Sequence, residues 1–161
     1  MIIRPAIADD ADAICAIYNQ GIAERIATLD TTLRTPAERR SWLAERGGRH
    51  PVIVADENGR IVGWASLNRF NPREAYDHVA DFSVYIERSW RGKGVGRQLL
   101  DRLVELARAL GYHKLVLAAL PHNAAGLALY TSAGFTRVGI YREQGQLDGR
   151  WVDVLLMEKL L

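Results

Sequence analysis

Arg91-Gly92-Lys93-Gly94-Val95-Gly96-Arg97 is the stretch on which the reading of this chain turns. It follows Val79 to Ile86, which reads as a strand. It leads directly into a helix with Val95, Leu99, Leu103, Leu106 and Leu110 on one face and Gly111 as its stop. The first-turn N–H groups of a helix have no internal partner and sit at the positive end of its dipole. Glycines let the backbone close on an anion without Cβ clashes. Gly92, Gly94 and Gly96 therefore suit a phosphate or pyrophosphate cradle, with Arg91, Lys93 and Arg97 adding charge. The bland alternative is a tight strand-to-helix connection. The later glycine of a dinucleotide fingerprint is missing, and no Gly-Lys-Ser/Thr follows, which excludes a P-loop.

The rest of the chain arranges itself around this junction. Ile2 to Ala6 reads as a short strand, and Asp9 or Asp10 caps a helix carrying Ile14, Ile17, Tyr18 and Ile22. Thr28 to Leu33 reads as a loop. Thr35-Pro36-Ala37-Glu38 opens a second helix as a capping box with an early proline, and Gly47-Gly48 ends it. Pro51 to Ala55 and Ile61 to Leu67 flank Asn58-Gly59, a hairpin signature. Asn68 to Ala75 reads as a loop before the Val79 strand. Beyond the central helix, Lys114 to Leu120 is a strand and Asn123 caps a short helix ending at Gly134. Two last strands, near Phe135 to Tyr141 and Trp151 to Glu158, are joined by a glycine-rich turn. The expected fold is α/β: a mixed sheet with helices on both faces.

The chain of 161 residues fits one domain over 1–161, without linker or repeat. Its 48% hydrophobic and 25% charged residues exclude a disordered tail or low-complexity polymer. No apolar run approaches the roughly 20 residues needed to span a bilayer. Met1 to Pro5 lacks a signal peptide's apolar stretch, so a cytoplasmic location is expected, with no membrane partner. The net charge of +2, with no basic run beyond Arg39-Arg40, argues against a nucleic-acid partner. Cys15, the single cysteine, excludes an internal disulfide and reads as a buried thiol. His50, His78, His113 and His122 lack metal-ligand spacing, and no metal is expected.

Arg91-x-x-Gly94-x-Gly96, with Asn123 and Leu129-Tyr130-x-x-x-Gly134-Phe135 downstream, resembles the pyrophosphate loop and last cofactor motif of the GNAT acetyltransferases. The likeness extends over nearly the whole chain. Ile3-Arg4-x-Ala6, Arg73-Glu74-Ala75-Tyr76-Asp77, Ser83-Val84-Tyr85-Ile86 and Gly149-Arg150-Trp151-Val152-Asp153-Val154 resemble its phosphinothricin acetyltransferase branch. Ala27 to Thr31 and Tyr141 to Gly149 are most similar to arsinothricin-resistance enzymes of that branch. The resemblance implies a mostly antiparallel sheet of about seven strands with about four helices. It implies acetyl-CoA as cosubstrate, a small amino-acid analogue as acceptor and a homodimer with its last strands near the partner.

Acyl transfer to an amine needs positioning, loss of the ammonium proton and stabilisation of the departing thiolate. By the resemblance, main-chain groups of Val84, Tyr85 and Ile86 hold the pantetheine arm. Gly92 to Arg97, including Val95, hold the pyrophosphate with Arg91, and Asn123 adds a cofactor contact. Asp81 stands where the branch carries a Glu, as the base that acts directly or through a water. Tyr130 is the acid for the thiolate, where the branch often has a His. Arg69, Arg73 and Tyr76 are substrate candidates, because a bidentate arginine suits a carboxylate or oxyanion; Asn71 occupies the place of the branch's usual Lys or Arg. Glu24, Arg25 and Thr28 are candidates for the same cleft. Acetylation of a protein or peptide N-terminus, and a non-catalytic acyl-CoA sensor, are the alternatives.

Overall fold

A computed structural model describes residues 1–161. The chain runs β1 (Ile2–Pro5), α1 (Ala11–Glu24), α2 (Pro36–Ala44), β2 (Val52–Glu57), β3 (Arg60–Arg69), β4 (Val79–Ile86), α3 (Val95–Ala109), β5 (Lys114–Ala119), α4 (Ala124–Ser132), β6 (Thr136–Leu147) and β7 (Arg150–Leu160). The seven strands form one sheet in the order β1-β2-β3-β4-β5-β7-β6. Only β4 and β5 pair in parallel, as the crossover through α3 requires; every other pairing is antiparallel.

Strand alternation divides the core into two layers. Ile53, Ala55, Ala65, Leu67, Ala80 and Phe82 face α3 and its Leu99, Leu103 and Ala107. Val52, Val54 and Trp64 face the opposite way, against Ile14, Ile17, Tyr18 and Ile22 of α1. The two apolar faces of β2 explain why its sequence is continuously hydrophobic: both sides are covered.

Local signals act as their chemistry dictates, with three differences. Thr35 accepts from the Glu38 N–H while Glu38 accepts from the Thr35 N–H, a complete capping box. Asn58 and Gly59 both take positive φ, 52° and 86°, as a tight hairpin turn demands. Asp10, however, does not cap α1 with its side chain; a 3-10 turn over Ala8–Asp10 precedes the helix. The buried Asp10 carboxylate instead accepts from the Arg4 guanidinium and the Ile7 N–H. The loop expected from Asn68 begins later, because β3 continues to Arg69, and a 3-10 turn spans Glu74–Tyr76. The last hairpin is longer than its apolar residues suggest, since β6 reaches Leu147 and turns tightly at Asp148-Gly149. The β6 residues are almost all exposed, so no hydrophobic pattern marks their extent.

The sheet opens at its centre. β4 pairs with β5 only at Val79↔Lys114, Ala80↔Leu115 and Asp81↔Val116. Beyond that point β4 stays with β3 as far as Ile86↔Gly63, and β5 stays with β7 as far as Ala119↔Leu155. The β4 edge from Phe82 to Ile86 thus faces a gap with main-chain groups outside any ladder.

Leu103 is fully buried between α3 and the sheet. Leu103→Ala is expected to cost about 2–5 kcal/mol. A thermal melt should show Tm falling by roughly 5–15 °C; a fall under about 2 °C would contradict this packing.

Candidate active site

The β4–α3 junction forms the first half of the site. Gly92 (φ 72°) and Gly94 (φ 82°) occupy the left-handed region that a Cβ penalises. Gly94 is the N-cap of α3 and has no side chain to satisfy the helix's first N–H groups, so these remain directed outward. Gly96 serves close packing: a Cβ there would lie 3.1 Å from Leu129 Cδ2 of α4. Val95, beside it, is buried and pins the turn to the core. A cavity of about 340 Å³ lies over this junction, walled by Val84–Ile86, Arg91, Gly92, Gly94, Gly96, Arg97 and the start of α4. Lys93 lies outside that wall, with its ammonium 5.0 Å from the Trp90 ring centroid.

Glu24 lines the same cavity, and its carboxylate binds Arg88 (2.7 Å) and Arg91 (2.5 Å). Burial pushes this carboxyl up, but the two arginine hydrogen bonds outweigh burial and hold it below its ordinary range. Glu24 therefore orients Arg91 at the cradle. Arg97 is tied to Asp101 (2.8 Å) and to the Ser132 carbonyl (3.1 Å).

A second cavity of about 250 Å³ fills the gap between β4 and β5. Ala27, Val84, Tyr85, Asn123 and Tyr130 line both cavities, so the two adjoin. Asp81 stands where the strands part. Burial raises its carboxyl to about 6, while the Asn68 amide and the Phe82 N–H partly offset that rise. Tyr130 enters from α4 and packs edge-on against Phe82, with ring centroids 5.7 Å apart. Burial, with a contribution from Asp81, pushes its hydroxyl up to about 12, so it stays protonated at neutral pH. Asn123 caps α4 by accepting from the Gly126 N–H at 3.1 Å. Tyr85 stacks on Trp64 (5.0 Å) and passes so close to Gly21 that a Cβ there would sit 3.0 Å from the ring.

The expected substrate residues are dispersed. Thr28 lines the gap cavity, together with Ala27 and Leu29. Arg25 instead pairs with Asp148 at 2.8 Å, and its carbonyl meets His122 Nε2 at 3.0 Å. Arg69 and Tyr76 line a separate cavity of about 170 Å³ with Arg49, His50 and Asn71, which shares no residue with the gap. Arg73 is exposed and lines neither. No arginine or lysine lines the gap cavity. Sequence reasoning missed Asn68, Ala27, Leu29 and Trp90. Asn68 is found only through the register that sets it opposite Asp81. No group of three or more His, Cys, Asp or Glu is placed to hold a metal ion. No helix is long and apolar enough to cross a membrane.

Comparison with known proteins places this geometry. Residues 18–135 match the Acetyltransferase (GNAT) family. A Pseudomonas paraeruginosa protein named L-methionine sulfoximine/L-methionine sulfone acetyltransferase is 37% identical, covering 97% of this chain and 92% of its own. Among solved structures, a Brucella melitensis protein described as ribosomal-protein-alanine N-acetyltransferase is 40% identical and covers both chains fully, with a TM-score of 0.96. A Sinorhizobium meliloti phosphinothricin acetyltransferase, solved in complex with AcCoA, is 31% identical over 99% of this chain and 88% of its own, with a TM-score of 0.93. The parted strands, the glycine cradle and the sequence match agree: this chain belongs to the GNAT family of acetyltransferases.

Proposed function

We propose that this protein transfers the acetyl group of acetyl-CoA to the α-amine of a small amino-acid analogue, of the kind represented by phosphinothricin, methionine sulfoximine or arsinothricin, and so detoxifies it. The observation that carries the reading is one wall of the gap cavity. Ala27, Thr28 and Leu29 line one side of it, and Arg25–Asp148 and His122–Arg25 clamp that segment to the last hairpin and to the start of α4. Leu29 packs so near β6 that a Cβ on Gly145 would fall 2.9 Å from it. A cavity of about 250 Å³ with that wall clamped suits a compact acceptor better than an extended chain.

Bound acetyl-CoA supplies the acetyl group as an activated thioester. The cradle from Gly92 to Arg97 and Arg91 would hold its pyrophosphate, and the free edge of β4 from Val84 to Ile86 would take its arm. The cradle suits such a group because Gly92 and Gly94 leave open space where a Cβ would stand. Asp81 accepts the ammonium proton, directly or through a water, and leaves the amine lone pair free to attack. A carboxyl near 6 is mostly ionised at neutral pH yet basic enough to receive that proton. Tyr130 holds its proton at neutral pH and donates it to the departing sulfur as the C–S bond breaks, and the second proton that the nitrogen sheds on becoming an amide restores it. Asn123 holds the start of α4 where both cavities meet.

Acetylation of a protein or peptide N-terminus is a second reading, favoured by the description of the Brucella structure. A thiol-release assay with phosphinothricin, methionine sulfoximine and arsinothricin, run beside alanine-initiated peptides, separates the two. Turnover of at least one small analogue and little peptide acetylation is expected; the reverse pattern would replace the first reading with the second.

The base assignment has a pH signature. kcat/KM should rise through an apparent pKa near 6 as Asp81 ionises. Asp81→Asn should remove that limb and lower the plateau by roughly 10²–10⁴-fold. Stability gives an independent reading. The folded Asp81 carboxyl binds its proton more tightly than its ordinary value of 3.8, so its contribution is fullest below that value and is lost as pH rises through about 6. Asp81→Asn should therefore melt above wild type at pH 7.5 and show no such gain at pH 3.5. An unchanged activity limb in Asp81→Asn would remove the carboxylate from the mechanism.

We also propose a homodimer formed by the last strands. Ile140 and Trp151 share one face of the β6–β7 hairpin and are each more than half exposed, as are Val138 and Tyr141 beside them, so that the hairpin presents apolar side chains that a second copy would cover. Light scattering should give twice the chain mass, and Ile140→Lys combined with Trp151→Lys should give a monomer; a monomeric wild type at micromolar concentration would refute this.

A further inference from the structure

We propose that Arg46 and Asn68 form a positioning relay that orients a hydrogen-bond donor onto the Asp81 carboxyl. The inference rests on the reading of Asp81 as the base, and it begins from a side chain whose orientation is dictated by its neighbours. Asn68 lies on β3 directly opposite Asp81 on β4, so the two side chains share one face of the sheet. The Arg46 Nη2 donates to Asn68 Oδ1 at 2.9 Å, and the Ser66 hydroxyl donates to the same oxygen at 3.0 Å. A guanidinium has donors only, so it can meet only the carbonyl end of the amide. The Asn68 NH₂ is thereby turned toward β4, where it donates to Ser83 Oγ at 3.1 Å on the face that Asp81 shares.

Arg46 is itself held firmly. It sits just past α2, with its guanidinium 4.6 Å from the Trp42 ring centroid. It also donates to the carbonyls of His50 and Leu67. No carboxylate pairs with Arg46, so its charge is not spent on an ion pair. The helix end, the β3 terminus and the amide are locked as one unit.

The surroundings of Asp81 leave the amide as the side chain that stabilises its ionised form. From β5 and β7, Lys114 and Glu158 share this face and neutralise one another in a salt bridge. From α4 the facing group is the Tyr130 hydroxyl, and along β4 it is Tyr85; both phenols are held neutral by burial. Arg46 stands on the far side of Asn68 and acts through it. Asn68, its cross-strand neighbour, holds the Asp81 carboxyl down against the burial that raises it. Removing the donor should therefore make the base harder to ionise.

The test measures kcat/KM against pH, alongside carbon-13 NMR titration of the Asp81 carboxyl, whose signal is identified by its loss in Asp81→Asn. Asn68→Ala is expected to move both midpoints up by about 0.5–1 pH unit. Arg46→Met should move them in the same direction by freeing the amide to rotate, and Arg46→Lys, which keeps one donor, should bring them most of the way back to the wild-type values. The double variant Asn68→Ala/Arg46→Met should shift no further than Asn68→Ala alone. A purely structural tie between α2 and β3 would lower Tm in all these variants and leave both midpoints in place, and that outcome overturns the relay. If Asn68→Ala does not fold, the comparison of Arg46→Met with Arg46→Lys decides the matter. The NMR midpoint reports on the relay even where the rate does not. A shifted Asp81 titration with no activity limb at all would sink the base reading, whereas an unshifted titration beside a limb that Asp81→Asn abolishes would sink the relay alone.

Discussion

The arrangement of this protein depends on a conflict of pairing at the middle of its sheet. β4 is committed to β3 from Ala80 to Ile86, and β5 is committed to β7 along its whole length. The two strands can meet each other at only three positions before their outer ladders carry them apart. In a sheet interior, unpaired main-chain groups are costly, so such an opening persists only where something else satisfies them. Here the opening lies beside the glycine cradle and ends at a carboxylate. One irregularity leaves an open strand edge, a cavity of about 250 Å³ and a largely buried carboxyl side by side.

Charge is managed by local pairing. Glu24 lines the cradle cavity, where an uncompensated carboxylate would repel a phosphate, and two arginines hold it. Arg97 is tied to Asp101, and Lys114 to Glu158. Asp81, in the gap, has no cationic partner, and it is the carboxyl that burial pushes up to about 6. A paired Asp would ionise far more readily and make a weaker base. Polar but uncharged support, from the Asn68 amide and the Phe82 N–H, keeps the group ionisable without turning it into half of a salt bridge.

The helix and strand order was legible in the chain because its signals are local. The Thr35–Glu38 capping box, the Asn58-Gly59 turn and the Leu99–Leu103 stripe each act within a few residues. The cradle was legible for the same reason, since Gly92, Gly94 and Gly96 and the helix they open are contiguous. Asp81 is a lone charge between Val79-Ala80 and Phe82 and stands where the branch carries a Glu. Asn68 carried no such signal; it looked like a loop residue because β3 ends in polar side chains. Arg69 and Tyr76 suited an anionic acceptor by type, yet the fold sets them around a different cavity from Asp81. The exposed β6 strand had no periodicity to mark its length.

Sequence alone determined the fold class, the glycine-rich strand-to-helix turn and the side-chain types available to the chain, because propensity, caps and glycine geometry depend on near neighbours. Tertiary structure decided where that chemistry converges. The parting of β4 from β5, the register that sets Asn68 against Asp81 and the clamp of Arg25 on Asp148 join residues up to 123 positions apart. Pairings at that range arise from the competition of whole strands for partners and of side chains for burial, which no short stretch of sequence encodes.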